Sequence, residues 1–212
     1  MMAPGAVQTA DSQKAMTPAE GLQRLKDGNA RFVNGLATSR DYLEQASATA
    51  GGQYPFAIIL GCVDSRVPVE VVFDQGIGDV FSARVAGNIA PSDVVGSMEF
   101  ATAAAGSKVI LVLGHTACGA VKGAVDDVKL GNLTGLLDQI QPAVKATKLK
   151  AGEKKTSKNA AYVDRVATTN VKATMDHILA TSPTIAGLVN EGKVVIAGGI
   201  YDLESGKVSF IN

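Results

Sequence analysis

Both cysteines of the chain and one of its two histidines fall in two short clusters, Cys62-Val63-Asp64-Ser65-Arg66 and His115-Thr116-Ala117-Cys118. Thiolate and imidazole are donors that zinc prefers, and three protein ligands with the fourth position open is the pattern of a catalytic rather than a structural site. Cys62, His115 and Cys118 supply that set. His115 and Cys118 stand three apart at a strand-to-helix turn, so both can reach one ion, and Gly114 and Gly119 relax the backbone around them. Asp64 is either a fourth ligand or the partner of Arg66. In an extended segment residues two apart share a face, where a guanidinium can hold a carboxylate through two hydrogen bonds. Held that way, an ionised Asp64 would accept a hydrogen bond from zinc-bound hydroxide and orient it. Zinc brings the pKa of bound water toward ~7, and two thiolates leave the metal more electron-rich than imidazoles would, so activity is expected to rise with pH. Taken singly, each cysteine or histidine passes for a buried core residue. Their joint placement at two strand ends argues against that, and the His or Asp at ligand spacing beside each cysteine favours a shared metal over a disulfide.

Each cluster closes an apolar run. Phe56 to Leu60 and Lys108 to Leu113 are almost continuously apolar, as expected of parallel strands covered on both faces. Asp79 to Val85 and Val194 to Tyr201 read as two further strands. Asp202 to Gly206 then turns the chain into a final strand, Lys207 to Ile211, which so short a connection makes antiparallel. Helical patterns lie between them: from the Thr17-Pro18-Ala19-Glu20 capping signature to about Val33, near Val69 to Phe73, from Ser92 as a cap to a stop at Gly106, over Leu133 to Thr147 with a kink at Pro142, over Ala160 to Ala180, and from Pro183. The first of these packs either on its own domain or on a neighbouring subunit. Strands alternating with helices predict an α/β fold, a mostly parallel four-stranded central sheet with an antiparallel edge strand and helices on both faces. In such sheets ligands sit beyond the carboxyl ends of the strands, where both clusters lie.

A chain of 212 residues suits one domain, here 17–212, with 1–16 expected to be a flexible N-terminal arm and 38–54 a surface connection. The 46% apolar and 19% charged content is that of a globular protein. Twenty basic and 20 acidic side chains cancel, which gives no bulk field for nucleic acid or a membrane surface. The lysine-rich stretch Lys145 to Asn159 has no interleaved aromatics and reads as a solvated loop. No run approaches the roughly 18 apolar residues of a membrane helix. The expected partner is a small molecule.

Cys-x-Asp-x-Arg followed some fifty residues later by His-x-x-Cys, each after an apolar strand and the second continuing Gly119-Ala120-Val121-Lys122-Gly123, resembles the β-class carbonic anhydrases over nearly the whole chain. The resemblance implies zinc-dependent interconversion of carbon dioxide and bicarbonate by a homodimer or a dimer of dimers. It implies Cys62, His115 and Cys118 as zinc ligands, Asp64 and Arg66 as the dyad beside them, and Asp64 on the metal only in a closed form. Gln53 matches a glutamine that reaches the pocket from the partner subunit. Phe81, Ala86, Phe100 and Gly119 match the substrate pocket, with Ala86 smaller than the usual valine and Phe100 where some members have tyrosine. Some bacterial members close when bicarbonate occupies a pocket of Trp, Arg and Tyr. Arg84 and Tyr201 match the last two, but Ile59 holds the Trp position, so an open zinc site is expected. The opening of the chain resembles the mature start of exported bacterial relatives, an expectation of the periplasm. Alternatives left open are a carbonyl sulfide or carbon disulfide hydrolase of the same fold, a closed zinc-stabilised domain without activity, and a redox pair of Cys62 and Cys118.

Overall fold

A computed structural model describes residues 6–211. Five strands, β1 (Ala57–Gly61), β2 (Val80–Arg84), β3 (Val109–His115), β4 (Val195–Tyr201) and β5 (Val208–Ile211), form one sheet in the order β2-β1-β3-β4-β5. The first four are parallel and β5 pairs antiparallel to β4, with Gly198 opposite Ile211. The chain runs from β1 outward to β2 and then returns to the other side of β1 for β3. The strand order therefore reverses between β1 and β3, the place beyond whose carboxyl ends ligands sit in sheets of this kind.

Alternation along the strands explains the layering. Ala57 and Ile59 of β1 with Val109, Leu111 and Leu113 of β3 face one way, into a core completed by Leu25, Val69, Val72 and Phe73. That side is covered by α2 (Pro18–Val33) and α4 (Val69–Val72). Ile58, Leu60, Ile110 and Val112 face the other way, against Val95, Met98, Val171, Ile178 and Ile185. These come from α5 (Ser92–Glu99), α9 (Ala160–Thr181) and α10 (Pro183–Asn190). A third cluster caps the carboxyl edge of the sheet, with Cys62, Cys118, Val121, Leu137, Ile140, Val163 and Val166. It brings in α6 (Gly119–Val125), α7 (Gly131–Asp138) and α8 (Gln141–Ala146).

Several expectations needed correction. Within the stretch expected to be a flexible arm, α1 (Ala10–Ala15) is a helix capped by Thr9 and Ser12, and Met1 to Gly5 lie outside the described residues. Buried Gln13 fastens it, donating to the carbonyls of Pro55 and Ala105, each at 2.8 Å. The 38–54 connection contains α3 (Tyr42–Thr49), capped by Asp41. It shows no apolar stripe because its anchor is polar: buried Gln45 accepts from the Ile77 amide at 3.1 Å. Ser92 is the first helical residue of α5, and the cap is Pro91 with no side-chain hydrogen bond. That helix ends in a π-turn, Phe100–Ala104. Pro142 does not kink one helix but starts a second, α8, in the position where its missing N–H costs nothing.

Candidate metal centre

The centre is assembled from the ends of two adjacent strands. Leu60 of β1 lies in register with Val112 of β3, so the chain leaves both strands side by side. Cys62 follows Gly61, His115 ends β3 and Cys118 is the residue before α6. All three are buried, and their donor atoms lie within 4.8 Å of one another.

The imidazole is held in one tautomer. His115 Nδ1 lies 2.9 Å from the carbonyl oxygen of Thr116. A carbonyl only accepts, so Nδ1 carries the proton and Nε2 presents its lone pair. Nε2 is buried without a hydrogen-bond partner, and Asp64 Oδ2, 3.8 Å away, is too distant to provide one. A buried acceptor left unsatisfied is costly. Facing two cysteine sulfurs, it is the lone pair that a zinc ion would take up, and the donor set of one nitrogen and two sulfurs fits that metal. The neighbouring Cys118 thiol lowers the Cys62 pKa against the opposing effect of burial, while closeness to Cys62, together with burial, raises that of Cys118. The Gly87 amide adds a second donor to Cys62 Sγ at 3.4 Å.

Asp64 and Arg66 form the expected two-pronged pair. Oδ1 accepts from Arg66 Nε at 2.9 Å and from the Arg66 amide at 3.0 Å, and Oδ2 accepts from Nη2 at 2.7 Å. The guanidinium holds the Asp64 carboxyl well below the usual carboxylate range, against the desolvation that would raise it. Arg84 braces the same segment from β2, donating Nε to the Cys62 carbonyl at 2.9 Å and Nη2 to the Asp64 carbonyl at 2.5 Å. Tyr201 is buried beside His115 across the β3–β4 ladder, and Ile59 is fully buried in the core cluster that contains Tyr201.

The remaining residues are more dispersed. Ala86 begins the one-turn 3-10 helix Ala86–Asn88 next to the centre, and Gly119 opens α6 with free space where a Cβ would stand. Phe81 on β2 meets Phe100 edge-on at 5.9 Å between ring centroids, and Phe100 is 55% exposed. Gln53 precedes β1, at the end of the strand opposite Cys62, so a single chain does not bring it to Cys62, His115 and Cys118. His177 lines a separate cavity of about 530 Å³ with Asn170, Thr174 and Pro142. The sequence reading did not anticipate the Thr116 carbonyl that sets the tautomer or the Gly87 amide on the thiolate. The one signal available for the latter was Gly87-Asn88 directly after a strand. Among the described residues no helix is long and apolar enough to cross a membrane.

The family model described as carbonic anhydrase matches residues 57–208. Carbonic anhydrase 2 of Mycobacterium tuberculosis is 34% identical over 196 residues, covering 90% of this chain and 91% of that protein. The carbonic anhydrase of Mycolicibacterium smegmatis is 36% identical over 198 residues, covering 90% and 92%. Among solved structures, the Coccomyxa β-carbonic anhydrase in complex with acetazolamide superposes with a TM-score of 0.70 at 26% identity, over 90% of this chain and 86% of its own. A tetrameric β-carbonic anhydrase from Sordaria macrospora gives 0.68 at 28% identity, over 78% and 85%.

Proposed function

The chain belongs to the carbonic anhydrase family, in its β class, and from that premise we propose that it interconverts carbon dioxide and bicarbonate at a zinc ion held by Cys62, His115 and Cys118. The observation that carries the reading is the buried, partnerless Nε2 of His115, aimed at two cysteine sulfurs within 4.8 Å. When bound, zinc acts as a Lewis acid and makes hydroxide available from water near neutral pH.

The chain's own groups have distinct roles. Thr116 fixes the His115 tautomer, so the imidazole binds as a neutral ligand through Nε2. Asp64 stays ionised across the working range because Arg66 occupies both of its oxygens. A carboxylate so engaged is kept from becoming the fourth ligand, and it accepts a hydrogen bond from the reacting water, which orients the oxygen lone pair toward substrate. Arg84 stiffens the backbone that carries Cys62 and Asp64. With Ile59 filling the core where related switches have an indole, we read the fourth position as open. We keep Ala86, Phe81, Phe100 and Gly119 as the substrate pocket, since none of them carries a side-chain donor, which suits apolar carbon dioxide. Gln53 completes the pocket from a second copy, and exposed Phe100 beside the unpaired edge of β2 is the surface that second copy covers.

The test is stopped-flow hydration of carbon dioxide from about pH 6.5 to 9 on protein of measured zinc content, with carbonyl sulfide hydrolysis assayed in parallel. Rates that scale with zinc and rise with pH support the proposal. A zinc-loaded protein that turns over carbonyl sulfide and not carbon dioxide, or neither, refutes it.

A further inference from the structure

Two turns carry the metal centre, and both contain backbone in the left-handed region. Ala117, between His115 and Cys118, has φ 54°, and Gly87, whose amide donates to Cys62 Sγ, has φ 72°. An alanine in that region is strained and persists only where its surroundings hold it. Gly87 is also crowded, since a Cβ there would lie 2.5 Å from Ile140 Cδ1 and would force that buried side chain to shift.

Both turns are tied to the same helix. The Ala117 amide donates to Asp164 Oδ1 at 3.1 Å, and the Gly87 carbonyl accepts from Asn170 Nδ2 at 2.8 Å. Asp164 and Asn170 stand six residues apart on α9, about 9 Å along its axis. Asn170 is 2% exposed and interrupts an apolar face made of Val163, Val166, Ala167, Val171 and Ile178. An amide in that face is costly unless bonded, and its bond goes to the turn that serves Cys62. The helix is 22 residues long, capped by Asn159, and packs through Val171 and Ile178 onto the sheet, so it forms a rigid rail under both turns.

We infer that Asp164 and Asn170 are the positioning residues of the metal centre: one helix sets the spread between His115 and Cys118 through Asp164, and the N–H donor to Cys62 through Asn170. Neither residue touches the metal. Asp164 holds Ala117 in the conformation that turns His115 and Cys118 toward a common point. Asn170 holds Gly87 so that its amide points at the Cys62 sulfur, where a donor tempers the thiolate's charge and fixes its direction. This inference rests on the zinc reading above.

The experiment compares wild type, Asp164→Ala, Asp164→Asn, Asn170→Asp and, as a ligand control, Cys118→Ser. Three quantities are read: zinc release into a chromogenic chelator, the thiolate-to-cobalt charge-transfer bands of the cobalt-substituted protein, and far-ultraviolet circular dichroism. Asp164→Ala and Asn170→Asp are expected to weaken zinc binding by about 10- to 100-fold and to shift the cobalt bands with unchanged secondary structure. Asp164→Asn, which keeps an acceptor oxygen, is expected to behave as wild type. Folded variants with wild-type release and wild-type bands overturn the inference and reduce α9 to packing. If Asn170→Asp does not fold, Asp164→Ala decides, because Asp164 is only half-buried. A wild type that holds no zinc, or a Cys118→Ser protein that holds it equally well, overturns the zinc reading itself. Zinc-loaded wild type with indifferent α9 variants overturns only the inference.

Discussion

Replacing Asp74 by asparagine removes one negative charge where α2, the 34–41 connection and the end of α4 meet. The Asp74 carboxylate is 3% exposed and accepts from Arg31 Nε at 2.5 Å, from the Thr38 amide at 3.1 Å, from Thr38 Oγ1 at 2.9 Å and from Arg40 Nη1. Burial would raise its pKa, but Arg40, Arg31 and Thr38 outweigh it and hold the group down at about 2, from 3.8. The folded pKa lies below the unfolded one, so the stabilisation is complete above pH ~4 and is lost as pH falls toward 2. Its size is roughly 2 kcal/mol. The substitution also strands Arg40, whose side chain is 7% exposed, without a counter-charge, so the total loss at neutral pH is about 3 kcal/mol. Backbone strain does not confuse the result, because asparagine adopts the φ of 46° found here as readily as aspartate. The assay is urea unfolding of both proteins, metal removed and at equal concentration, at pH 7 and pH 3. The variant is expected to be about 3 kcal/mol less stable at pH 7, with the gap about 1 kcal/mol narrower at pH 3. A gap that is constant with pH, or absent at pH 7, would show that the carboxylate is not held ionised by these arginines.

Asp64 is ionised far below neutrality because Arg66 grips it, so Asp64→Asn should lower kcat/KM about 10²-fold evenly from pH 6.5 to 9 with zinc content unchanged. A loss confined to one limb of the profile would mean that Asp64 titrates there. Stripping zinc with a chelator should abolish hydration and lower the melting temperature by about 5 to 10 °C, reversibly on adding zinc back, because the ion binds only the folded chain. A melting temperature indifferent to the chelator would place the metal elsewhere. Gly28→Ala puts a Cβ 1.8 Å from the Phe73 carbonyl oxygen, a backbone atom that cannot swing aside. The clash outweighs the ~1 kcal/mol gain in helix propensity, for a net loss of about 2–4 kcal/mol in urea unfolding; a gain would show that α2 packs less closely on Phe73.

The parts of the fold that could be read from the chain are those that bury apolar area in a regular pattern. β1 and β3 are apolar at nearly every position because they are covered on both faces, and that alone marks them as central and parallel. β2 and β5 sit at the edges with weaker patterns, and β5 is placed by the short Asp202 to Gly206 turn before it. α1 and α3 were missed for a physical reason. Gln13 and Gln45 anchor them through hydrogen bonds to backbone groups 42 and 32 residues away, while Tyr42 and Leu43 of α3 point to solvent. Hydrophobic periodicity carries no trace of a helix that docks by its amides.

The metal centre divides along the same line. Its candidate ligands are legible because each cluster is local: three residues of chain fix His115 against Cys118, and two fix Asp64 against Arg66. What holds the clusters is not local. Asp164 reaches back 47 residues to Ala117, and Asn170 reaches back 83 to Gly87. In the sequence, the apolar stripe of α9 is broken at Asn170, and the break carries information. A buried amide where valine or leucine would pack better is stable only if some backbone group needs it. Here that group is Gly87, whose own amide donates to Cys62. A break in an apolar pattern and a glycine after a strand were therefore two ends of one hydrogen-bonded path. Neither end identifies the other until the fold brings the turn after β2 against α9.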